Sequence, residues 1–102
     1  MADRHTLVET EEFTAQIDDI VTRHSMDVIL PVLAGLLDGI AKNPRAFGRT
    51  IRNIRCARSD SLGLTIPTFT ILFQIENEGQ EDERVLLAWI QENSTLDEIM
   101  EF

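Results

Sequence analysis

Residues 67–92, PTFTILFQIENEGQEDERVLLAWIQE, place two apolar runs on either side of an acidic turn that contains a glycine. In the first run Phe69, Ile71, Phe73 and Ile75 alternate with Thr68, Thr70, Leu72 and Gln74. A two-residue period of this kind gives a strand one strongly apolar face. Asn77–Glu83 (NEGQEDE) reads as the turn, with Gly79 free to take positive φ. In the second run strict alternation sends Val85, Leu87 and Trp89 one way and Leu86, Ala88 and Ile90 the other. A strand apolar on both faces is central, or has its second face covered from outside. The stretch is a β-hairpin, and its apolar side needs a cover.

The cover precedes it. Phe13, Ile17, Ile20, Val21 and His24 recur at helical spacing, and Ile29, Leu33, Leu36, Leu37 and Ile40 form a second stripe. Asp27 is a candidate N-cap, which would put Pro31 at the fourth helical position, where no intrahelical hydrogen bond is lost. Asn43-Pro44 ends the second helix. Before the helices, HTLVET (Thr6, Val8, Thr10) suits a short strand. After them a further strand falls either at Ile54–Arg58 or at Leu62–Ile66. Ser94 could cap a last helix, TLDEIMEF. The order is strand, α-hairpin, then an antiparallel β-meander with the helices on one face. This is an α+β fold occupying residues 1–102 as a single domain.

Charge divides the chain into three blocks within a net charge of −9. Residues 1–41 carry two basic and eight acidic side chains, and residues 59–102 one basic and ten acidic. Between them KNPRAFGRTIRNIRCAR, residues 42–58, carries six basic side chains and no acidic one. An acidic surface repels phosphate backbones, so nucleic acid is disfavoured as a partner, while the basic island can meet an acidic one. The island is equally readable as a solvated face. Arg45, Arg49, Arg52, Arg55 and Arg58 are its candidate contacts. The lone Cys56 has no internal disulfide partner, which fits a reducing, cytoplasmic setting. No apolar run is long enough to cross a bilayer, and MADRHTLVET is too polar for a signal peptide. His5 and His24 lack the spacing of a metal site, so no metal or cofactor is expected.

The element order, the helix closing in NPRAFG, and the hairpin IPTFTILFQIE with RVLLAWI resemble the RelE/ParE superfamily of bacterial toxin–antitoxin systems. The likeness runs from HTLVETEEF to the C-terminus and rests more on hydrophobic spacing than on polar identities. It implies a cytoplasmic bacterial protein held by an antitoxin. Ribonucleases of that superfamily place basic side chains, and usually an aromatic, where charge develops on phosphate, and losing one such donor costs about two to three orders of magnitude in rate. Here the tyrosine-arginine pair expected on the first hairpin strand is Phe69-Thr70. Ser61 and Gly63 stand where lysines are frequent, Glu92-Asn93-Ser94-Thr95 replaces a basic turn, and the chain has no tyrosine.

The expectation is a RelE/ParE-like toxin or toxin-derived protein that acts by protein–protein interaction. The alternatives are an RNA endonuclease with a relocated basic site, built on Arg52, Arg55 and Arg58, and a self-associating acidic α+β domain. No catalytic residue is assigned. Leu72, Leu86 and Ile90 are expected on the sheet face away from the helices, where an antitoxin or a second copy of the chain would cover them.

Overall fold

The computed structural model describes residues 5–24, 26–59 and 68–93, the side chains of residues 49–51 excepted. Its elements are β1 (Thr6–Glu9), α1 (Glu11–Arg23), α2 (Met26–Lys42), a single 3-10 turn (Pro44–Ala46), β2 (Arg49–Ile51), β3 (Ile54–Arg58), β4 (Thr68–Glu76) and β5 (Arg84–Asn93). The five strands form one sheet in the order β1-β5-β4-β3-β2. The β2-to-β5 meander is antiparallel, and β1 joins it in parallel beside β5. The expected α+β architecture is the observed one. Of the two placements for the extra strand, Ile54–Arg58 is realised, while Leu62–Ile66 and the C-terminal TLDEIMEF lie outside the described residues. β2 was not expected.

Both helical stripes face the sheet. Phe13, Ile20, Ile29, Leu33, Leu36 and Ile40 are buried against Phe69, Ile71, Phe73, Val85, Leu87 and Ile90, and Ile17, Val21 and Leu37 pack at the margin. Thr10, expected in the first strand, caps α1 instead: its hydroxyl accepts from the Phe13 N–H at 3.2 Å and donates to the Leu87 carbonyl at 3.0 Å. α2 begins at Met26, so Asp27 lies within its first turn and Pro31 is the sixth residue, not the fourth. Proline there forfeits the bond to the Asp27 carbonyl, an exposed and near-terminal position where the loss is mild.

Strand β5 departs from strict alternation. Ile71 pairs with Ile90 and Leu72 with Trp89, yet Phe73 pairs with Leu87, leaving Ala88 as an extra residue. This is a β-bulge, and one extra residue reverses which side every later residue faces. Val85, Leu87 and Ile90 therefore all point into the core, while Trp89 is 40% exposed. The expectation that Ile90 lies on the outer face with Leu86 is corrected by this residue count. The bulge also diverts a peptide group from the ladder, and the Ile90 N–H donates to Gln16 Oε1 of α1 at 2.9 Å. Glu92 and Asn93, expected in a turn, continue the strand opposite Phe69 and Thr68.

Candidate interaction surfaces

On the outer face the register sets apolar side chains beside one another across four strands. Trp89 lies opposite Leu72, and Leu72 opposite Cys56. Val8 lies opposite Leu86, Leu86 opposite Gln74, and Gln74 opposite Ile54. All except Trp89 are half-buried. Leu72 and Leu86 are where the sequence placed them, with Trp89 taking the position assigned to Ile90. An alternating reading cannot find Trp89, because the bulge that exposes it depends on pairing with β4 and on the Gln16 acceptor.

The basic island does not form one surface. Arg45 turns to the β4–β5 turn, where its Nε meets Glu78 at 3.1 Å and its Nη2 meets Glu83. Lys42 pairs with Asp38 at 3.0 Å, one helical turn back. Both cations thus find counter-charges that residues 42–58 do not themselves contain. Arg55 stands opposite Phe73, the helix side of the sheet, and its Nη1 donates to the Phe47 carbonyl at 2.6 Å. Arg58 is exposed on the other face, opposite Thr70. Arg52 occupies the β2–β3 turn with φ of 52°, and Arg49 lies in β2. A five-stranded sheet separates Arg55 from Arg58, so the two cannot serve one phosphate. Thr70, at the position where the resemblance calls for arginine, accepts from Asn93 Nδ2 at 2.8 Å.

Two charged clusters escaped the sequence reading because their members are distant in the chain. In the first, Glu83 accepts from Arg45, from the Gly79 N–H at 2.8 Å and from His5 Nε2 at 2.5 Å. The Arg45 guanidinium, then the Gly79 amide and His5, hold the Glu83 carboxyl down at about 2. The hydrogen bond that Arg45 donates to Glu83, foremost, and its pairing with Glu78 raise the Arg45 pKa. Gly79 takes φ of 84°, the left-handed turn conformation that points its N–H at the carboxylate. In the second, Glu92 receives His24 Nε2 at 2.8 Å and Arg23 Nη1 at 3.1 Å, tying the end of α1 to β5. Each cluster fastens a helix or loop to the sheet.

An apolar groove of about 320 Å³ lies between the helices and β1. Leu7 and Leu87 floor it, Phe13 and Ile17 of α1 and Leu30 and Leu33 of α2 wall it, and Glu9 stands at its margin. Among the described residues, no helix is long and apolar enough to cross a membrane, and no group of histidine, cysteine and carboxylate side chains is arranged to hold a metal ion. No family model, curated protein or solved structure matches the chain.

Proposed function

We propose that the protein is a RelE/ParE-like toxin or toxin-derived protein that acts by binding another protein through the outer face of its sheet. The observation that carries this reading is the apolar set Trp89, Leu72, Leu86 and Val8 on that face. Ribonuclease chemistry would want cations there to stabilise phosphate charge. A half-exposed tryptophan among aliphatic neighbours is instead the composition of an interface centre, where aromatic anchors supply most of the binding energy. The element order that prompted the resemblance supports the same reading. The expected occupant is an antitoxin; a homodimer is the competing one.

The test is co-purification of the tagged chain with the product of an adjacent small open reading frame, comparing wild type with Leu72→Glu/Trp89→Glu. Loss of the complex in a variant that still melts cooperatively supports the reading. Equal recovery with both proteins overturns it. Concentration-dependent light scattering that the double variant abolishes would point to the homodimer, and RNA cleavage dependent on Arg58 to the endonuclease.

A further inference from the structure

A second surface lies on the helix side of the sheet. α1 and α2 both rest on the strands, yet the apolar groove between them stays open as far as the described residues extend. Leu7 on its floor and Ile17 and Leu37 on its walls are half-buried, and Leu30 is 52% exposed. Leu30, Ala34 and Leu37 follow one another at helical spacing along α2, and Phe13 and Ile17 do so along α1. Helices packed closely along these stripes would bury them against each other. Here they leave a trough of about 320 Å³, at the lower end of the roughly 300–1,000 Å³ of ligand clefts and enough for a few side chains.

Both walls of the groove are acidic at the top. Glu9 lines it, and Thr14 Oγ1 donates to Glu9 Oε1 at 3.3 Å, so the Thr14 row of α1 forms one rim. Glu11 and Asp18, three residues before and four after Thr14, share that row. On α2, Asp27 and Asp38 lie seven residues before and four after Ala34, which lines the groove, and they border it from the other side. Glu9, Glu11, Asp18 and Asp27 are exposed and Asp38 is half-buried. Lys42 ends the same row of α2, where it is tied to Asp38 at 3.0 Å. Arg23 turns instead to Asp19 and Glu92. Two copies meeting through this face would set their carboxylates against one another, so charge disfavours a second copy and favours a cationic occupant.

We propose that this groove docks an amphipathic helix of a partner protein, one whose apolar stripe is flanked on both sides by lysine or arginine. A strand would not serve, because every second side chain of a strand points away from the surface it lies on. In a helix the residues beside the apolar stripe lean outward to either side, and here both walls carry carboxylates. The apolar stripe enters between Phe13 and Ile17 on one side and Leu30 and Leu37 on the other. One flank of cations meets Glu11 and Asp18, and the other meets Asp27. Asp27 and Asp38 stand about 16 Å apart along α2, so about three turns of the docked helix span the rim. The site is on the opposite side of the sheet from Trp89 and does not depend on what binds there.

Fluorescence anisotropy with a labelled fifteen-residue peptide of leucine and lysine, its leucines spaced to form one helical stripe, tests the site directly. The peptide should bind, and weaken about tenfold or more with Asp18→Lys/Asp27→Lys and with Leu30→Glu. A peptide of the same composition with leucine and lysine alternating has no such stripe and should bind about tenfold more weakly or worse. Glu81→Lys, a charge reversal in the β4–β5 turn, and Leu72→Glu/Trp89→Glu on the outer face should leave the affinity unchanged. The groove side chains substituted are exposed, and unchanged melting of each variant confirms the fold. Absence of binding overturns the proposal. Equal affinity for the groove variants or for the alternating peptide, or an equal loss with Glu81→Lys, would reduce the effect to unspecific attraction and overturn it as well. A loss confined to the outer-face variant would move the peptide to that face, and self-association abolished by Leu30→Glu would replace the partner helix by a second copy; either result overturns it.

Discussion

Strands β4 and β5 are neighbours of similar length and composition, yet only one of them can be read from its own residues. Along β4 the inward set Phe69, Ile71, Phe73 keeps a two-residue period. Along β5 the inward set is Val85, Leu87, Ile90, with a step of three across Ala88. The difference shows where facing is decided. β4 pairs on both sides with antiparallel partners, so the pleat alone fixes it. β5 passes from pairing with β1 to lying under α1, and there Gln16 supplies an acceptor that the ladder no longer provides. The extra residue turns a tryptophan outward and an isoleucine inward, and the candidate interface changes with it.

The largest expected effect comes from charging the two residues that the bulge exchanges. Ile90→Lys buries an unpaired cation and should cost about 4 kcal/mol or more, to the point of unfolding a small domain. Trp89→Lys should stay within about 0.5 kcal/mol of wild type in urea unfolding. If the two costs are reversed, β5 alternates strictly and the comparison with β4 disappears. Gln16→Ala should follow, costing about 1–3 kcal/mol because the Ile90 N–H loses its acceptor. Gln16→Glu, which keeps an acceptor, should retain most of that stability. Equal losses would mean that packing, not the hydrogen bond, holds the bulge.

The turn that joins the two strands gives a pH-dependent test. Glu83 titrates at about 2 in the folded chain, below its ordinary 4.5. A depressed carboxylate stabilises the fold fully above the ordinary value, and that contribution is lost as pH falls from 4.5 toward 2. Glu83→Gln should therefore be less stable than wild type at neutral pH and converge on it by pH 2. Urea midpoints at pH 7, 4.5 and 2.5 decide it, and a constant difference at all three would exclude the ion pair with Arg45 as the cause. The smallest effect is expected at the other hairpin. Arg52 holds φ of 52°, which costs a side-chain-bearing residue about 1–2 kcal/mol, and part of this is recovered by glycine. After the entropy cost of glycine, Arg52→Gly should gain about 0.5 kcal/mol. A loss instead would show that the Arg52 side chain stabilises the fold.

The sequence by itself determined the succession of first strand, two helices and hairpin, the two helical stripes and the inward face of β4. Each of these is a repeat carried within a dozen or so consecutive residues, and burial of one face selects that repeat whatever the surroundings. It also carried Leu72 and Leu86 to the outer face, because both lie before the bulge or on its regular side. Only the tertiary structure decided that Trp89 replaces Ile90 there, that Arg45, Arg55 and Arg58 part company, and that β1 lies beside β5. Gln16 and Ile90 are 74 residues apart, Arg45 and Glu83 are 38, and His5 and Glu83 are 78. Hydrogen bonds and ion pairs across such separations leave no period in the chain, since any carboxylate or amide could serve until the sheet brings one of them within reach.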